Sequence, residues 1–208
     1  MEPLKIGIIV FLSLVALLAI AWLLFPIFKT SYINKHLVPY FGKRIYHIAL
    51  YNDFYLINQV NLKLDEDSEA HIDHLLFGEK YIYVIKDRYY DGAIDGQEKD
   101  SNWMYYHRYS RHGKYVANPL IINRLRLEKL ALVTGLDPHL FINIIVVNDK
   151  CLLNDIPTTD NGTFIVKLKK LERLIKAIEQ RDIEPIDPDQ LDTAVKDIYR
   201  LVKGNNNG

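Results

Sequence analysis

The sequence predicts an α/β (α+β) domain, a mixed sheet flanked by helices, preceded by one transmembrane helix. Three observations carry that reading. Runs rich in β-branched, aromatic and leucine residues alternate with turn-forming clusters between residues 54 and 87. A continuous apolar run, Phe141–Val147, follows a well-signalled helix. An uncharged apolar block fills residues 6–28. The chain has 208 residues, 49% hydrophobic and 25% charged, which is the composition of a folded protein and excludes a disordered or collagen-like one. Its 26 Lys and Arg balance 26 Asp and Glu, so nucleic-acid binding would need a local basic patch. A single cysteine, Cys151, excludes a scaffold of internal disulfides.

From Ile6 to Phe28 there are 23 residues without a charge, and Ser13 is the only strongly polar one among them. As a helix they reach about 34 Å, enough to cross roughly 30 Å of hydrocarbon with some tilt. Trp22 suits a membrane interface, and Pro26 marks a bend or stop. A cleaved signal peptide would have a shorter core followed by small residues, and Phe25-Pro26-Ile27-Phe28-Lys29 offers no such site. Positive charge is light before the block (Lys5, offset by Glu2) and heavier after it (Lys29, Lys35, Lys43, Arg44). The expectation is an uncleaved single-pass anchor in the cell membrane with the following domain in the cytoplasm.

Residues 29–41, interrupted by Pro39, read as a juxtamembrane linker, and a short helix is expected from Lys43 to Tyr51 after Gly42. Strands follow over Phe54–Leu64, Ala70–Phe77 and Tyr81–Asp87, separated by Asp65-Glu66-Asp67-Ser68 and Gly78-Glu79-Lys80. Asp91-Gly92 and Asp95-Gly96 read as turns, and Trp103–Tyr109 as a short extended piece. Asn118 can cap a helix opened by Pro119 and ended by Gly135, with a core stripe of Leu120, Leu127, Leu130 and Leu132 or their neighbours. Phe141–Val147 reads as a central strand buried on both faces, and Thr163–Val166 as another strand. Helices are expected over Lys169–Gln180 and Pro188–Val202, the second opened by Asp187 and Gln190 at capping-box spacing. The plan is therefore an anchor at 1–28, a linker at 29–41, a domain at 42–150, a strand and helices completing it at 151–203, and an unstructured tail at 204–208.

Ile72-Asp73-His74-Leu75-Leu76, then Tyr81 to Ile85, Asp91-Gly92 to Asp95-Gly96, Trp103 and Asn118-Pro119-Leu120 together resemble the nuclease-related domain (NERD) of bacterial membrane-associated proteins, from about Gly42 to Leu130. The resemblance implies a restriction-endonuclease-like core. In an intact member it also implies an acid on one central strand and an acid-x-lysine triplet on the next, holding a divalent metal through hard oxygen ligands. Asp73 matches the first acid. The triplet falls on Lys86-Asp87-Arg88, so a lysine replaces the second acid and an arginine the lysine. One carboxylate beside two cations should hold Mg²⁺ poorly. Asp87 points to the opposite face of its strand from Lys86 unless a bulge intervenes. Where the family often places a glutamine after Asn118-Pro119, only Asn123 could stand in, and the amino-terminal Gly-Glu element reads Gly42-Lys43. The expectation is a nuclease-like domain without nuclease activity, with no cofactor and with Asp73 and Lys86 as an ion pair. The alternative is an active Mg²⁺-dependent nuclease using Asp73 with Asp87 or another acid.

His71, Asp73 and His74 form a dense cluster, but alternation puts His74 on the other face, so no metal site is expected there. Arg108, Arg111 and Lys114, with His112, lie among Tyr105, Tyr106, Tyr109 and Tyr115, a mixture found on single-strand nucleic-acid surfaces and equally on a solvated hairpin. The hairpin reading is favoured, because the acids between Asp87 and Asp100 dilute the field. Arg124, Arg126 and Lys129 read as the solvent face of the next helix, although Arg126 and Lys129 are spaced to meet one phosphate. Cys151 has no neighbours suited to a nucleophile. Beyond the membrane, the partners left open are nucleic acid and a protein bound through the tyrosine-rich surface, the chain having 14 Tyr.

Overall fold

The computed structural model describes residues 11–25, 28, 37–65, 68–154, 156 and 162–204. They fall in two compact units, Met1–Leu37 and Val38–Gly208. In the first, helix α1 is described over residues 11–25, every one exposed within the unit. Fifteen residues reach about 22 Å. Among the described residues, no helix is long and apolar enough to cross a membrane. Residues 6–10, Pro26 and Ile27 of the block expected to span, and the flanking Lys29 and Lys35, lie outside the described residues.

The second unit is a mixed α/β fold with two mixed sheets. It opens with α2 (Leu37–Tyr51), which starts earlier than the expected Lys43 and takes up the end of the linker. Pro39 sits in the first turn, where no intrahelical N–H is needed, so it does not interrupt the helix. Phe41, Ile45, Ile48 and Ala49 form its buried stripe.

Strands β1 (Tyr55–Asp65), β2 (Ser68–Phe77) and β3 (Ile82–Arg88) form an antiparallel meander, as the spacing of apolar runs and turns predicts. The chain then leaves this sheet. The segments β4 (Gly92–Asp95), β5 (Asn102–His107) and β6 (Lys114–Ala117) build a second sheet, later joined by β8 (Leu152–Leu153) in the order β6-β5-β4-β8. The expected single sheet is therefore two. Strand β4 occupies what reads as two turns because Gly92 has φ 151° and runs so close to β5 that a Cβ would meet the Tyr106 carbonyl oxygen.

Helix α3 (Pro119–Thr134) begins and ends where expected: Asn118 Oδ1 accepts from the Leu120 N–H at 2.9 Å, and Gly135 closes it at φ 67°. Its buried face runs Leu120, Asn123, Leu127, Leu130 and Ala131. Leu132 is 83% exposed, a correction to the expected stripe: two positions past Leu130, it turns off the face that packs on the sheet. Strand β7 (Phe141–Val147) is buried at every position and lies parallel to β3 on one side and to β9 (Thr163–Lys167) on the other. The larger sheet runs β1-β2-β3-β7-β9. Leu127, Leu130 and Ala131 pack with Ile82, Val84 and Phe141, each such apolar side chain contributing about 1.5–3 kcal/mol on burial. Helices α4 (Leu171–Glu179) and α5 (Pro188–Gly204) complete the unit, with Asp187 Oδ1 capping the Asp189 N–H at 3.0 Å. The tail after Gly204, Asn161 of the Asn161-Gly162 turn and the centre of the β1–β2 turn lie outside the described residues.

Candidate functional site

The register of β2 on β3 pairs His74 with Ile85, which sets Asp73 opposite Lys86 one step further along. Strand alternation then sorts four adjacent side chains into two pairs on two faces. On the α3 side, Lys86 Nζ donates to Asp73 Oδ1 at 2.5 Å. On the other side, His74 Nε2 meets Asp87 Oδ2 at 2.7 Å, with His74 Nδ1 2.6 Å from Asn58 Oδ1. Both His74 and Asp87 are buried, and Gly42 of α2 backs the imidazole. Lys86 to Arg88 lie at the carboxyl end of β3 beside Ile145 to Val147, the end of parallel strands where α/β sheets hold ligands.

The Asp73 carboxylate is fully engaged. Oδ1 accepts from Lys86 and lies 3.2 Å from His71 Nε2, while Oδ2 accepts the Asp87 backbone N–H at 2.9 Å. Arg126 of α3 lies within electrostatic reach of the Asp73–Lys86 pair, and the charge of Arg88 acts on both Lys86 and Arg126. Burial pushes Lys86 below the usual lysine value, with Asp73 opposing and Arg88 and Arg126 adding. Burial likewise lowers Arg126, with Asp73 opposing and Arg88 adding. His71 is lowered first by burial, against Asp73 and with Lys86 and Arg126. Arg126 Nη1 is buried and meets no acceptor.

A divalent cation does not fit this donor set. At an effective dielectric near 20, a dication about 4 Å from a unit charge gains or loses about 8 kcal/mol, so the sign of the site decides. The one carboxylate is already neutralised by the Lys86 ammonium bonded to it, which leaves a dication no net attraction there. Asp87, the second acid in sequence, offers only its backbone N–H to Asp73, and burial pushes its carboxyl above the usual range, His74 opposing. Among the described residues, no group of three or more His, Cys, Asp or Glu is placed to hold a metal ion.

The remaining candidates are distributed elsewhere. Asn123 does not stand in for a site amide: it is buried and clamps β3 to β7, donating to Val84 O at 2.9 Å and Asn143 Oδ1 at 2.8 Å. Arg108, Arg111 and Lys114 sit exposed around the β5–β6 turn, with Arg108 over the Tyr109 ring and Lys114 over Tyr105. Arg124 pairs with Glu98 at 2.9 Å and lines a groove of about 440 Å³ with Thr163 and Arg181, where β3, β7 and β9 begin; neither Asp73 nor Lys86 lines it. Arg126, read from sequence as solvent face, is instead half-buried at the Asp73 cluster, and Lys129 is half-buried too. The His74–Asp87 pair escaped the sequence reading. Its signal was present, because residues one past each member of a cross-strand pair share the opposite face.

A family model described as "Nuclease-related domain" matches residues 40–148, just over half of the chain. No curated protein matches. Among solved structures, the chain is similar to the crystal structure of protein of unknown function AF1548, at 12% identity over 76% of this chain and 78% of that one, with a TM-score of 0.32.

Proposed function

The chain belongs to the nuclease-related domain family, and from that membership we propose a member without nuclease activity, anchored by its amino-terminal apolar segment, whose domain on a restriction-endonuclease-like core works as a binding or scaffolding module. The single observation behind this reading is the Lys86–Asp73 ion pair. An ammonium stands where metal-dependent hydrolysis would need a second carboxylate, and it occupies the oxygen a metal would take. An active enzyme pairing Asp73 with Asp87 finds no support in the side chains, since Asp87 turns to His74.

The anchor rests on the uncharged run from Ile6 to Phe28 and on the exposed apolar side chains of residues 11–25. Charge after that run favours a cytoplasmic domain in the cell membrane. Alkaline extraction of membranes tests it: the chain should stay in the pellet, and release to the supernatant overturns the anchor.

For the catalytic claim, the full-length chain in detergent micelles is incubated with single-stranded and duplex DNA and RNA in Mg²⁺ or Mn²⁺, beside Asp73→Ala. No metal-dependent cleavage above background is expected from either. Cleavage by the unsubstituted chain that disappears in Asp73→Ala overturns the reading.

A further inference from the structure

We propose that the outer face of α2 and α4 is a docking surface for an anionic lipid bilayer, which holds the domain against the membrane. The inference takes its tether from the anchor reading above and adds a second membrane contact, made by the domain itself.

Both helices lie on one face of the larger sheet. Gly42 of α2 lies against His74, and the Tyr83 hydroxyl donates to Glu179 of α4 at 2.6 Å. Strand alternation puts Tyr83 on the same side of β3 as Asp87, the partner of His74. Arg44 of α2 bonds Glu172 of α4 at 2.8 Å, so the two outer faces adjoin. Their charge is of one sign. Helix α2 holds no Asp or Glu and exposes Lys43 and Arg44, while Lys169, Lys170, Arg173 and Lys176 are exposed in and just before α4. Of the acids on α4, Glu179 turns to Tyr83 and the Lys80 N–H, and Glu172 is shared by Arg44 and Lys176. Asp149 accepts the Lys169 backbone N–H. Balancing acids lie across the sheet: Asp189 and Asp192 sit on α5, whose Ile198 packs in the core with Ile82 and Val84 of the opposite face.

The same face is apolar where a headgroup layer would meet it. Leu50 is 61% and Tyr51 78% exposed, and the Tyr46, His47 and Tyr51 rings follow one another with centroids 6.1 Å apart. Leucine and tyrosine interleaved with lysine is the composition of a helix lying in a membrane interface. A nucleic-acid strand would use the cations and leave Leu50 in water, whereas a bilayer with acidic headgroups uses both. Residues 29–36 alone separate Phe28 from α2. That tether spans at most about 29 Å, so an anchored chain keeps this face at high effective concentration beside the leaflet.

The test places a fluorophore at Leu50→Cys, Leu132→Cys or Phe28→Cys in the full-length chain carrying Cys151→Ala. The chain is reconstituted into phosphatidylcholine vesicles with or without about 30% phosphatidylserine, and quenching by a headgroup spin-labelled lipid is read. With phosphatidylserine, about twofold quenching is expected at Leu50 and none at Leu132, which α3 exposes on the opposite face. Omitting phosphatidylserine, or combining Lys43→Glu, Lys170→Glu and Arg173→Glu, should remove at least about half of the Leu50 effect. Leu50 unquenched while Phe28 is quenched overturns the docking and leaves the anchor standing, whereas Phe28 and Leu50 both unquenched overturns the anchor reading and the docking with it. Equal quenching at Leu132 and Leu50, or quenching indifferent to phosphatidylserine, overturns the proposal. A labelled 20-nucleotide DNA captured by the chain with Leu50 unquenched, and lost in the charge-reversed variant, gives the face to nucleic acid and also overturns it.

Discussion

His74 Nε2 lies 2.7 Å from Asp87 Oδ2 on the face of β2 and β3 opposite the Asp73–Lys86 pair. That one contact decides the fate of the second acid: Asp87 is spent on a buried imidazole and is unavailable to a metal on the other face. Replacing His74 by Ala leaves a buried carboxylate without its partner and should destabilise the domain by about 3–5 kcal/mol, read from urea midpoints. An effect below about 1 kcal/mol would mean the pair is not buried as described.

The same pair predicts a pH dependence. Burial raises Asp87 above its ordinary value of 3.8, with His74 and Lys86 opposing and Asp73 adding. Between that ordinary value and the raised one, the folded protein binds more protons than the unfolded chain. The resulting stability is full below about pH 4 and fades as pH rises through the folded value. Removing His74 takes away the largest opposing influence, so His74→Ala should lose stability more steeply than the parent between pH 4 and 8. Parallel curves would contradict this.

Asp73→Ala strands the buried Lys86 without its anion and should cost about 3 kcal/mol. Adding Lys86→Met should recover part of that loss. The cycle of single and double variants, measured by urea denaturation, should give a coupling of at least about 0.5 kcal/mol, since the pair is in contact. Additive losses would deny the ion pair.

Cys151 is buried, and burial pushes its thiol up to about 11. At pH 8 a thiol-specific reagent should label it at least a hundredfold more slowly in the native protein than in urea, because both exposure and thiolate are lacking. Equal rates would show that the β4–β8 region opens freely.

The fold was legible where periodicity and turn chemistry act locally. The Asn118 cap, the Gly135 stop and the unbroken apolar run of Phe141–Val147 each specify an element within a few residues. The second sheet was hidden, because β4 and β6 have four residues each and β4 is framed by the glycines that announce turns. In the site, the Asp73–Lys86 pair followed from alternation once the two strands were adjacent. Arg126 did not: a helix of low amphipathic contrast gives no signal for which of its cations turns inward. That placement depends on how α3 crosses the sheet, which is set by long-range packing.

The central claim is that Lys86, bonded to Asp73, leaves no place for a metal cation, and titration with Mn²⁺ followed by the loss of its free-ion electron paramagnetic resonance signal tests it most directly. The unsubstituted chain should leave the signal of 0.1–1 mM Mn²⁺ undiminished, taking that range as roughly where carboxylate sites fill. Lys86→Asp combined with Arg88→Lys, which restores the acid-x-lysine pattern beside Asp73, should quench it. Quenching by the unsubstituted chain that is lost in Asp73→Ala would contradict the account.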